Sequence, residues 1–256
     1  MYTLKSTTLK FLSAFALLST SGFADYPEDM EAIKEAEYKQ LDRLALQTGT
    51  DKSSAYHNYT KIYAEYFGPI KNKPIRFLEI GILGGSSVKL WENYFPQAEL
   101  HFIDHSFNTI QYFSKRAEYH LIDQTDRVGL TAFAQAVGNF DVIIDDGGHT
   151  MDQQIISFET LFPSVKSGGL YIIEDLHTSY WHPWGGGGTR EAPKSGPNTC
   201  VTFLQHLIDD LNYSGARIGI ADHNKAPLDI RQTFNYYQEH ITSMHFYDSL
   251  CIIQKR

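Results

Sequence analysis

Short apolar runs of strand length recur along this chain, and each ends in a glycine turn or an acid before a helix-like stretch begins. Residues 75–80 form the first and lead into Gly81. Glu99–Asp104 is the second and closes on an acid, residues 117–122 make a weaker third, and Phe140–Asp145 is the most β-like. Gly168-Gly169 turns the chain into a fifth run over residues 170–174. Helical patterns lie between them at residues 87–94, 131–137 and 150–162, the last with Thr150 and Gln153 at capping-box spacing. Such a strand–helix rhythm implies a parallel sheet covered on both faces. Residues 199–211 add a further helix, and residues 241–246 and 250–254 read as strands joined by a tight turn. The expected fold is α/β: a doubly wound, mostly parallel, Rossmann-like sheet over residues 75–256 with a C-terminal antiparallel hairpin. A small helical extension over residues 25–74 precedes it. There, residues 27–48 read as a surface helix packed against the main domain, Gly49-Thr50-Asp51-Lys52 breaks it, and Tyr56, Tyr59, Tyr63, Tyr66 and Phe67 repeat at helical spacing. Those tyrosines are expected to pack on the sheet, with hydroxyls toward solvent or a pocket.

At 256 residues the chain is long enough for one α/β domain with a proper core. Its formal charge of −8, with no Lys/Arg run, argues against a nucleic-acid partner. Cys200 and Cys251 are too few for a disulfide framework or a thiolate metal site, although one bridge between them stays open. The first residues run basic, apolar, small-x-small: Lys5 and Lys10, then residues 11–18, then Gly22 and Ala24. That order predicts a secretory signal peptide over residues 1–24, cleaved after Ala24; an uncleaved leader is the alternative. The apolar run is too short to span a membrane.

The first strand ends in Glu79-Ile80-Gly81-Ile82-Leu83-Gly84-Gly85-Ser86. A glycine-rich strand-to-helix turn lets backbone approach a ligand closely, and the helix N-terminus offers free N–H groups. The spacing is not the G-x-G-x-x-G of nicotinamide enzymes. It suits S-adenosylmethionine, whose zwitterionic tail would sit near Glu79, Gly81, Gly84, Gly85 and Ser86, with Asp104 accepting the ribose hydroxyls. The plain alternative is a tight turn and nothing more.

A second constellation lies at later strand ends. Asp145-Asp146-Gly147-Gly148-His149 follows the fourth strand and Glu174-Asp175 closes the fifth. In an open parallel sheet, ligands bind outside the carboxyl ends of the strands. Carboxylates gathered there repel unless a cation neutralises them, and oxygen ligands suit a hard ion such as Mg²⁺. Singly, each of these residues also reads as a capped or solvated strand terminus; Asp145 could instead be an inward strand residue.

These motifs carry a family resemblance, together with Gly49-Thr50-Asp51-Lys52, His57-x-Tyr59, Trp91, Tyr94-Phe95-Pro96, Asp123-Gln124-x-Asp126 and Leu176-x-Thr178-Ser179-Tyr180-Trp181. From Gly49 to the C-terminus the chain resembles the macrolide sugar O-methyltransferases of the mycinamicin and macrocin type. The resemblance implies S-adenosylmethionine and a divalent cation as cofactors, and a small hydroxylated acceptor, a sugar or a glycosylated metabolite. It implies Asp146, Glu174 and Asp175 as metal ligands, His149 as general base, and Asp123, Gln124 and Asp145 on the cofactor side. Departures are a short region before the sheet, Gly148 where the family often has serine, and His177 where it often has an amide. Oligomeric state and acceptor stay open. So does the compartment, because a secretory leader and a cytosolic methyl donor disagree. A nicotinamide oxidoreductase and an exported binding protein that kept only the fold are the competing readings. Tyr180, Trp181, His182 and Trp184 beside Gly185–Gly188 read either as a lid or as an anchored surface loop.

Overall fold

The computed structural model describes residues 26–256, with side chains from Met30 onward; the leader expected over residues 1–24 lies outside the described residues. The strands are β1 (Arg76–Ile80), β2 (Glu99–Asp104), β3 (Ala117–Leu121), β4 (Phe140–Asp145), β5 (Val165–Ile173), β6 (Ile241–Tyr247) and β7 (Leu250–Lys255). They form one sheet in the order β3-β2-β1-β4-β5-β7-β6. The first five are parallel, and β7 inserts antiparallel between β5 and β6. This is the doubly wound, mostly parallel sheet with a C-terminal antiparallel hairpin that the sequence leads one to expect.

The helices follow from local signals. α1 (Tyr26–Thr48) and α2 (Tyr59–Phe67) make up the N-terminal extension. α3 (Ser86–Tyr94) follows β1, and α5 (Met151–Leu161) begins at the Thr150/Gln153 capping box. α4 (Arg127–Val137) starts four residues before the expected point because the Asp126 carboxylate accepts from the Val128 and Gly129 N–H groups. α6 (Cys200–Ile218) runs seven residues past the expected end and stops at Gly219, whose φ of 69° supplies the left-handed C-cap. The Gly168-Gly169 pair is not a turn before β5 but lies inside it, where the pairing with β4 shifts register between Phe140 and Val142.

Strand side chains alternate between two cores. On one face Phe77, Phe102, Val142, Ile144 and Ile172 pack against α1, α2 and α3 through Leu41, Tyr63, Phe67, Trp91 and Phe95. On the other, Leu78, Ile103, Ile143, Tyr171 and Ile173 pack against α4, α5 and α6 through Phe133, Phe158 and Leu204. The extension therefore packs against the sheet domain, and its buried side chains form part of the first core. Cys200 and Cys251 are free and buried, so no bridge joins them. Among the described residues no helix is long and apolar enough to cross a membrane.

β1 has β2 on one side and β4 on the other. The connections after β1 and β4 thus leave in opposite directions, and the crevice between them is where an open sheet of this kind binds ligands.

Candidate active site

A cleft of ≈1070 Å³ opens at that crevice, lined by Gly81, Gly84, Ser86, Asp104, Gln124 and Asp146 among others. Its size is that of a small-molecule site. Gly81 sits at φ 96°, and a Cβ there would collide with the Asp146 carbonyl, so glycine is required where the two loops cross. Asp104 stands at the end of β2. Its Oδ2 accepts from the Ile82 N–H at 2.9 Å and its Oδ1 from the Ser106 N–H at 3.0 Å, which fixes the carboxylate at the mouth of the loop.

Not every residue expected on the cofactor side faces the cleft. Glu79 is fully buried behind it, accepting from Ser87 Oγ at 2.8 Å and Trp91 Nε1 at 3.1 Å. Asp145 is also fully buried and accepts from Gln124 Nε2 at 2.5 Å and from Ser157. Burial pushes its carboxyl up to about 6, with the Ser157 hydrogen bond opposing that shift. Asp123 closes its own turn through the Thr125 N–H at 2.7 Å. Gly85 caps α3 at φ 90° and abuts the Tyr112 backbone. Glu79, Gly85, Asp123 and Asp145 therefore shape the walls, whereas Gly81, Gly84, Ser86, Asp104 and Gln124 line the space itself.

The acids and the histidine converge at one side of the cleft. His149 Nε2 lies 3.3 Å from Asp175 Oδ2 and 3.9 Å from Asp146 Oδ1. Ligand atoms of Asp146, His149 and Asp175 all fall within 4.8 Å of one another. His149 and Asp175 hold φ angles of 59° and 56°, a left-handed conformation costly for residues with a Cβ. Two such residues facing each other mark a geometry that the surrounding fold enforces. The buried His149 Nδ1 has no hydrogen-bond partner among the described residues.

Glu174 sits differently from the expected ligand set. It is 2% exposed, and its two oxygens are taken by Lys52 Nζ at 2.9 Å and by the Tyr63 hydroxyl. Lys52 is wholly buried and also pairs with Asp146, with Glu79 at 3.6 Å. Burial opposes its charge, but Asp146, Glu174 and Glu79 outweigh that and hold its pKa well above the usual lysine value. The tyrosines follow suit. Tyr59 donates to Asp175 Oδ1 at 2.9 Å, and His57 stacks on Tyr59 at 4.9 Å. The N-terminal segment thus supplies one wall of the site. In the sequence Lys52 belongs to Gly49-Thr50-Asp51-Lys52, a helix break and one of the motifs of the family resemblance, but a lone lysine between two helices carries no periodic signal of its own. Only its 94- and 122-residue separations from Asp146 and Glu174, closed by the fold, reveal its place.

The donor set fits a hard divalent ion, with Asp146 and Asp175 presenting oxygens to one point and His149 beside them. The Gly185–Gly188 run packs closely against neighbouring backbone. Gly186 and Gly187 N–H groups bond to Trp181 and Lys194 carbonyls at 2.9 Å each, and a Cβ on Gly188 would strike the Ala192 carbonyl.

No family model matches the chain. It is 33% identical over 228 residues to 8-demethyl-8-(2-methoxy-alpha-L-rhamnosyl)-tetracenomycin-C 3'-O-methyltransferase of Streptomyces olivaceus, covering 84% of this chain and 53% of the relative. It is 32% identical over 226 residues to demethylmacrocin O-methyltransferase of Streptomyces fradiae, with 84% and 53% covered. The structure superposes with a TM-score of 0.71 and 30% identity on the MycE methyltransferase of the mycinamycin biosynthetic pathway, in complex with Mg and S-adenosylhomocysteine, over 84% of this chain and 54% of that one. The chain resembles the sugar O-methyltransferases of the macrocin, mycinamicin and tetracenomycin type. It spans about half the length of the curated relatives it matches.

Proposed function

We propose that this chain is an S-adenosylmethionine-dependent, divalent-cation-assisted O-methyltransferase acting on a hydroxyl of a sugar or glycosylated small molecule. The observation that carries the reading is the convergence of Asp146, His149 and Asp175 beside a cleft floored by the Gly81–Ser86 loop. The sequence similarity supports it, since the relatives are sugar O-methyltransferases by name, and a MycE structure holds Mg, S-adenosylhomocysteine and mycinamycin VI.

S-adenosylmethionine would supply an electrophilic methyl, and a divalent ion would acidify the acceptor hydroxyl. Gly81, Gly84 and Ser86 would seat the methionine tail, with Asp104 taking the ribose hydroxyls. Asp146 and Asp175 would hold the cation. We assign Glu174 as the third ligand in a state where Lys52 has released it. His149, oriented by Asp175 Oδ2 at 3.3 Å from its Nε2, would take the hydroxyl proton on the ring nitrogen that this carboxylate does not engage, as the methyl passes from sulfur to the acceptor oxygen. Tyr59 fixes Asp175 from behind, so the base and its orienting carboxylate keep their mutual geometry.

The test is calorimetry of S-adenosylmethionine binding with and without Mg²⁺, followed by S-adenosylhomocysteine release with an L-rhamnosyl glycoside as acceptor. Binding and Mg²⁺-dependent release are expected. Failure to bind the methyl donor in either condition removes the proposal.

A further inference from the structure

A second group of metal-ligand residues lies away from the cleft, on the α4 side of the β2–β3 sheet edge. His101 on β2 and Glu118 and His120 on β3 bring one ligand atom each within 4.8 Å of one another. We propose that this group binds a divalent transition ion of the zinc class, and that the ion clamps edge strand β3 to β2.

The distances are compatible with coordination. His101 Nδ1 is 3.2 Å from His120 Nε2 and 3.7 Å from Glu118 Oε2. A tetrahedral zinc with bonds of about 2.0 Å sets its ligand atoms about 3.3 Å apart. The two separations from His101 are close to such coordination edges, and the Glu118–His120 separation stays within 4.8 Å, so the exposed Glu118 side chain has only a short distance to close.

The tautomer of His101 is already set. Its Nε2–H donates to Glu99 Oε1 at 3.1 Å, so Nδ1 turns its lone pair toward His120 and Glu118. The Glu99 carboxylate is held in turn by Arg76, whose Nε donates to Oε2 at 2.9 Å. A carboxylate behind a histidine is the outer arrangement that orients and strengthens imidazole ligands at metal sites. His120 Nε2–H now donates to His101 Nδ1. On binding, that proton passes through solvent to His120 Nδ1, freeing the Nε2 lone pair, and Glu118 binds as carboxylate.

The surroundings also suit an ion. His101 is 1% exposed and lies edge-on to Phe140 at 5.8 Å, and Phe133 covers His120 at 4.5 Å. The inner side is therefore apolar. The outer side is open, because the Glu118 side chain is 66% exposed, which gives a path for entry and room for a water as fourth ligand. Two imidazoles and one carboxylate favour zinc or cobalt over magnesium, which prefers an all-oxygen shell. β3 is the sheet's edge and is hydrogen-bonded on one side only. A clamp there would stiffen the two strands whose ends carry Asp104 and Gln124 into the cleft.

The experiment is a Co²⁺ titration of the full chain in millimolar Mg²⁺, which occupies the oxygen-rich cleft site but competes poorly for imidazole nitrogen. One equivalent with the strong visible absorption of a four-coordinate ion is expected, displaced by Zn²⁺, with a rise in Tm on Zn²⁺ addition. His120→Ala abolishes the band, Glu118→Gln weakens it, Glu99→Gln loosens binding by about 10- to 100-fold, and Asp175→Asn leaves it intact. Absence of the band overturns the proposal. So does a band lost with Asp175→Asn but kept in His120→Ala. Should His120→Ala fail to fold, the exposed Glu118→Gln and Glu99→Gln variants decide alone: unchanged Co²⁺ affinity in both refutes the site.

Discussion

Lys52 is the residue on which the cleft's electrostatics turn. Its ammonium is fully buried among Asp146, Glu174 and Glu79, and no other cation is ion-paired with those three among the described residues except His149 when protonated. Removing one partner of a buried ion pair leaves uncompensated charge, which costs roughly 3–5 kcal/mol. Lys52→Met should lower the metal-free urea midpoint accordingly, and Mg²⁺ should restore more stability to the variant than to the parent, because the carboxylates then lack their internal counterion. Equal midpoints with and without the substitution would show that Lys52 is not that counterion. For His149, the proposed role as base is separable from cofactor binding. His149→Ala should cut turnover by about 10²- to 10⁴-fold while the calorimetric affinity for S-adenosylmethionine stays within a few-fold of the parent value. A collapse of that affinity would make His149 part of the cofactor pocket instead.

At the scale of elements, the site depends on where loops cross. The β1–α3 and β4–α5 connections meet at Gly81 and Asp146, so closely that Gly81 has no room for a side chain. Gly81→Ala adds both a positive-φ penalty and a backbone collision. We expect at least the roughly 1–3 kcal/mol of such strain as lost stability in urea, together with loss of S-adenosylmethionine binding. A variant of parental stability and affinity would mean that the crossing relaxes freely. The glycine run at Gly185–Gly188 illustrates the same physics with the opposite expectation. Consecutive glycines suggest a slack, mobile lid, yet here they let three backbone segments approach within hydrogen-bonding distance. Composition signals conformational freedom, but close packing can consume all of it.

At the scale of the whole molecule, the core on the α4–α6 face of the sheet holds both thiols, Cys200 at the start of α6 and Cys251 on β7. Cys200 and Cys251 are buried and free, and burial raises the pKa of both. Reaction needs thiolate and access, and both are denied in the native state. Labelling with an aromatic disulfide should therefore be slow in native buffer and complete, at two thiols per chain, in urea. The midpoint of labelling should coincide with that of circular dichroism if α6 and β7 open only with the whole fold. Fast labelling of one thiol in native buffer would instead reveal local opening around that residue.

The sequence by itself determined the strand–helix order, the parallel sheet, the closing hairpin and the strand ends at which ligand groups gather. These are local properties: a period of two or of 3.6 in apolar side chains, and glycine or cap residues at the boundaries, can be read within a dozen residues. It also marked Asp146, His149 and Asp175, because β4 and β5 are neighbours and their carboxyl ends lie side by side. What only the tertiary structure decided is which of several acids face the cleft and which are turned away. Glu79 and Asp145 read like site residues but point into the cores, since a strand residue's face depends on register and not on its type. Lys52, Tyr59 and Tyr63 read like helix-break and packing residues but reach the carboxylates across the sheet. The pairing of His101 with Glu118 and His120 likewise exists only once β2 and β3 lie in register. Chemistry between residues a hundred positions apart has no local signature; chain packing creates it.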